Sequence, residues 1–98
     1  MRTLFTATMD VAASNKAVTD GSLGKIIQST VDRMKPEAVY FYTIDGCRAC
    51  FMVFDMKDPS EIPIIAEPFF MGLNAKVNFS PVMNGEDLQK GLSASMGS

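Results

Sequence analysis

The feature that most constrains this 98-residue chain is a central stretch that is apolar at odd and even positions alike. Residues 37–55 hold Ala38-Val39-Tyr40-Phe41-Tyr42-Thr43, then Asp45-Gly46, then Arg48-Ala49-Cys50-Phe51-Met52-Val53-Phe54-Asp55. Asp-Gly between two aromatic-rich runs is a strong hairpin signal, because both residues tolerate the left-handed backbone that a tight turn needs. Two registers fit. Asp45-Gly46 can form a two-residue primed turn, or Gly46 can be the left-handed residue of a bulged three-residue turn. A slip of one residue exchanges the faces of every side chain, so the sequence leaves open which set points inward. Either way both sets are apolar: Val39 and Phe41 against Tyr40 and Tyr42, then Cys50, Met52 and Phe54 against Ala49, Phe51 and Val53. A sheet with one solvated face would alternate apolar with polar. This ribbon has no polar face.

The flanking segments supply the remaining elements. Residues 3–11 alternate, with Phe5, Ala7, Met9 and Val11 on one side, which predicts a strand. Leu23, Ile26, Ile27, Thr30, Val31 and Met34 then form one apolar stripe at helical spacing, ending before Pro36. Ser14 or Asn15 would cap a long form of this helix and Asp20 a short one, with Gly21 and Gly24 weakening the long form. Asp58-Pro59-Ser60-Glu61 is a capping box that opens a second helix, whose apolar face is Ile62, Ile65, Ala66, Phe69 and Leu73. Pro68 should kink it, and Gly72 or Asn74 should stop it. Residues 75–81 alternate as a final strand with Val77 and Phe79 inward, and Asn84-Gly85-Glu86-Asp87-Leu88 opens a short helix to about residue 92. Residues 93–98 are expected to be a flexible tail.

The order strand, helix, strand, strand, helix, strand predicts a single α+β domain over residues 1–92. Each helix serves as a crossover, giving a four-stranded antiparallel sheet with both helices on one face. The other face is then bare, and the hairpin makes it apolar. Burying ~600 Å² of such surface at ~25 cal/mol/Å² is worth on the order of 15 kcal/mol before association costs. A second copy of the chain is the simplest cover, and we expect a homodimer. With the register open, Val39, Phe41, Cys50, Met52 and Phe54 are the candidate interface set. The competing cover, the C-terminal helix folding back, would have only Leu88 and Leu92 as anchors.

Composition removes several functions. Net charge is −2 and the nine Lys and Arg residues are scattered, so the phosphate-neutralising cluster of a nucleic-acid binder is missing. No apolar run reaches the ~20 residues that span a bilayer. Residues 1–6 do not read as an export signal, and with only two cysteines the expected compartment is the cytoplasm. Histidine and tryptophan are absent.

The amphipathic Leu23–Met34 helix, Tyr40-Phe41-Tyr42, Phe51-Met52-Val53-Phe54-Asp55-Met56, Ala66-Glu67-Pro68-Phe69-Phe70 and the final strand running into Pro81-Val82-Met83-Asn84 together resemble the ferredoxin-like folds. Within them the resemblance is to the dimeric α/β-barrel superfamily, in which two such sheets pack face to face. Several stretches look like a small uncharacterised bacterial family of this type, one with no assigned activity. The resemblance covers nearly the whole chain but is one of layout, and layout does not transfer function. The haem enzymes of that superfamily need an axial histidine, and its quinol-type oxygenases typically use histidine and tryptophan. Acylphosphatases, also ferredoxin-like, need an arginine in the loop after the first strand, and residues 10–19 have none.

Candidate chemistry is sparse. Cys47-Arg48-Ala49-Cys50 is formally C-x-x-C, but residues three apart on a strand face opposite ways and lie ~10 Å apart, beyond disulfide reach. Two thiols without histidine make no zinc site, so no metal and no cofactor is expected. Tyr40, Tyr42 and Arg48 could orient a small ligand, and Glu67, beside Phe69 and Phe70, could act as an acid or base. The plainer reading is a set of rim hydroxyls and solvated charges. The expectation is a homodimeric domain that binds a small apolar or aromatic ligand between sheet and helices. The alternatives are a cofactor-independent isomerase or oxygenase-like enzyme acting on a small aromatic or lactone substrate, and an oligomerisation module without a ligand.

Overall fold

Eight elements follow one another in the computed structural model, which describes residues 1–97: β1 (Arg2–Thr8), α1 (Val11–Asp20), α2 (Ser22–Met34), β2 (Ala38–Ile44), β3 (Cys47–Asp55), α3 (Glu61–Leu73), β4 (Lys76–Pro81) and α4 (Gly85–Gly97). The fold is α+β, with one four-stranded sheet in the order β2-β3-β1-β4 and every neighbouring pair antiparallel. Between β2 and β3, Asp45 and Gly46 both take left-handed backbone, with φ of 52° and 74°. This is the two-residue primed turn. It pairs Ile44 with Cys47 and places Tyr40 opposite Phe51 and Val39 opposite Met52.

That register assigns the two faces. Phe5 lies opposite both Met52 and Phe79, and Ala7 lies opposite Cys50 and Val77. These side chains meet Ala17 of α1, Met34 of α2 and Ile65, Phe69 and Leu73 of α3 in one core. The Phe5 and Phe69 rings touch edge to face with centroids 5.0 Å apart, a geometry that suits their quadrupoles. The expected interface set therefore belongs to the helix-covered side. Cys50, Met52 and Phe54 are core residues, Val39 packs against that core, and Phe41 stays exposed only because β2 is the sheet edge.

Helix boundaries follow local chemistry. The strand predicted over residues 3–11 stops at Thr8, because the Asp10 carboxylate accepts from the Ala13 N–H at 2.9 Å and starts α1. Val11 is thus an exposed helical residue and not an inward strand residue. The single helix expected before the hairpin is two, broken at Gly21 (φ 83°), where the Asp20 carboxylate accepts from the Ser22 N–H. Lys35 in left-handed backbone and Pro36 end α2. At α3, Asp58 accepts from the Ser60 N–H while Glu61 accepts from those of Lys57 and Asp58, so the predicted capping residues bond as expected, but Pro59 and Ser60 form a turn and the helix itself starts at Glu61. Ile65, Ala66, Phe69 and Leu73 are buried as expected, but Ile62, in the first turn, is exposed. Asn74, at φ 46°, provides the stop. Gly72 lets α2 approach closely: a Cβ there would lie 2.6 Å from Ile26 Cδ1.

The C-terminal helix is longer than predicted. Reciprocal bonds between Asn84 and Asp87 cap it, and it runs through Gly97 where a tail was expected; Ser98 lies outside the described residues. None of its described residues is buried, and Leu88, Leu92 and Met96 are exposed. It does not fold back over the sheet.

Phe69 is fully enclosed, so Phe69→Ala should lower unfolding free energy by about 3–5 kcal/mol, read as a reduced midpoint in urea denaturation.

Candidate functional site

With the core filled, two apolar surfaces among the described residues are the candidates for recognition. One is the sheet face that no helix covers. Pairing sets its rows: Ala38, Val53 and Leu4; Tyr40, Phe51 and Thr6; Tyr42, Ala49 and Thr8; and Ile44 with Cys47 at the turn. Tyr40 and Tyr42 flank the Phe51 ring, with centroids 5.5 and 6.0 Å away. Tyr40 is 62% exposed, and Tyr42 and Ile44 are exposed too. Toward β4 the same face turns polar through Thr6, Thr8, Lys76, Asn78 and Ser80. The apolar half is therefore a compact patch over β2 and β3. It presents large rings with polar tips, a composition enriched at protein interfaces.

The second surface is a cleft of about 290 Å³ between α2 and α3. Ile26, Met34, Ile64, Ile65 and Pro68 form its apolar lining, with Ser29 and Thr30 on one wall and Lys25 and Arg33 along the α2 rim. Thr30 spends its hydroxyl proton on the Ile26 carbonyl at 2.8 Å. Pro68, lacking an N–H, withholds from the Ile64 carbonyl its usual helix partner. In the sequence the one hint of this cleft is Pro68 inside an apolar helix; Lys25 and Arg33 lie outside the apolar stripe of α2 and carry no signal of it.

The four residues expected to converge on a ligand are not brought together. Tyr40 and Tyr42 stand on the uncovered sheet face. Arg48 is on the opposite face, where its Nη1 donates to Ser14 Oγ and Asn15 Oδ1, both at 2.8 Å. It ties the hairpin to α1, and the Ser14 side chain beneath it is fully enclosed. Glu67 is exposed on α3. Asp55 joins the two ends of the chain's first pairing: its carboxylate accepts from the Met1 amino group at 2.6 Å and from Lys57 Nζ. These cations, Lys57 first, hold it down to about 2.

The two thiols part as strand geometry requires. Cys47 is half-buried beside the turn, whereas Cys50 is enclosed in the core, and burial pushes its thiol up to about 11. A thiol that stays protonated at neutral pH is a poor nucleophile. Among the described residues no group of three or more Cys, Asp or Glu side chains could hold a metal ion. Among them too, no helix is long and apolar enough to cross a membrane. In a Cys47→Ser variant, Cys50 should resist a thiol reagent until denaturant unfolds the chain; rapid labelling of the native protein would contradict its burial.

No family model matches this sequence, and no curated protein matches it.

Proposed function

We propose that the chain is a ferredoxin-like binding domain that works as a homodimer, two copies packing their uncovered sheet faces in the manner of a dimeric α/β barrel. The order β2-β3-β1-β4, with α1 and α2 crossing from β1 to β2 and α3 from β3 to β4, fits the β-α-β-β-α-β motif with its first crossover split in two. One observation carries the dimer: the Tyr40–Phe51–Tyr42 cluster lies on a face that no element among the described residues covers. A two-fold interface is self-complementary, and a patch of rings with polar rims satisfies that requirement.

Each copy also holds a small apolar or aromatic ligand. The space between sheet and helices is filled by Phe5, Met52, Phe69 and Leu73, so the ligand's seat is the cleft between α2 and α3. Its volume sits at the small end of ligand pockets. Catalysis is the weaker reading, since Tyr40, Tyr42, Arg48 and Glu67 do not share a site. Two free thiols suit a reducing cytoplasm.

Light scattering at micromolar concentration should give twice the 10.7 kDa chain mass. Tyr40→Glu should weaken association by at least ~2 kcal/mol, roughly thirtyfold in Kd, with an unchanged far-UV spectrum. A wild-type protein that stays monomeric at that concentration would refute the dimer.

A further inference from the structure

The rim of the α2–α3 cleft carries positive charge. Lys25 and Arg33 are eight residues apart on α2, about 12 Å along the axis, and both line the cleft. Among the described residues neither forms an ion pair. No carboxylate near them bonds either side chain among the described residues, although Asp20 lies close enough to Lys25 for the two charges to attract. Asp20 accepts from Ser22. Asp55 is held by Lys57 and the Met1 amino group, and Glu61 accepts from the backbone of Lys57 and Asp58. An apolar cleft with unpaired cations on its rim is matched by a molecule with the opposite arrangement.

We infer that this cleft takes a small amphipathic anion: a carboxylate on a short aliphatic or aromatic tail. The tail lies against Ile26, Ile64 and Pro68, and the carboxylate meets Arg33, whose planar fork matches two carboxylate oxygens. Lys25, at the other end of the rim, adds long-range attraction without a fixed contact. The inference rests on the ligand-binding half of the proposed function and is independent of the dimer.

The test is a titration of the full chain with 4-phenylbutyrate and, separately, its neutral counterpart 4-phenylbutanol, following the methyl resonances of Ile26 and Ile64 by NMR. The acid should shift both methyls saturably in the submillimolar range, and the alcohol should bind about tenfold more weakly, the loss of one charge-assisted hydrogen bond. Arg33→Gln should weaken the acid by a similar factor and leave the alcohol unchanged, while Lys25→Gln should have a smaller effect. Equal affinity for acid and alcohol would overturn the anion assignment while leaving the cleft as an apolar site. Unmoved methyls with both compounds would overturn the ligand-binding reading as well.

Discussion

Two consecutive left-handed residues, Asp45 and Gly46, decide which side chains of β2 share a sheet face with which side chains of β3. Because strand side chains alternate with a period of two, the turn geometry propagates along both arms of the hairpin. The primed turn sends Cys50, Met52 and Phe54 under the helices and leaves Phe51 between Tyr40 and Tyr42 on the other side. The bulged alternative would have put Cys50, Met52 and Phe54 on the same face as Tyr40 and Tyr42. β1 then carries the decision across the sheet, since Phe5 faces Met52 on one side and Phe79 on the other.

Much of this architecture is legible in the chain. The Leu23–Met34 stripe, the Asp58–Glu61 cap and the alternation of Val77 and Phe79 each encode their element locally, and the element order leads to the antiparallel sheet. What the sequence left undecided was long-range. The ribbon is apolar on both faces, so hydrophobicity could not choose between registers, and the turn's backbone angles had to. Val11 continued an alternating pattern, yet the Asp10 cap ended the strand before it. Gly21 broke a helix that periodicity alone would have joined. The cleft depends on how close α2 and α3 come, a distance set at Gly72 and Ile26 that no local pattern reports.

The expected site fails for a related reason. Chemical type groups Tyr40, Tyr42, Arg48 and Glu67, but alternation and helix packing distribute them over separate surfaces. Arg48 is recruited to structure, clamping Ser14 and Asn15. The cations beside the cleft, Lys25 and Arg33, come from a helix face that looks like plain solvated surface. Packing on the helix side is complete enough to push recognition outward, to one cleft above the core and one patch below it.

The outermost strand carries a further consequence. β2 is seven residues long and has neither a charge nor a proline, and Tyr40 through Ile44 are exposed. Its far side offers unpaired backbone N–H and carbonyl groups, whereas the opposite border, β4, is guarded by Lys76 and Pro81. A ribbon border of this kind is a template for adding another ribbon. Because this border lies at the edge of the sheet and not on its face, covering the face would leave it open, and strand-by-strand growth through β2 is held back only by the brevity and twist of the strand.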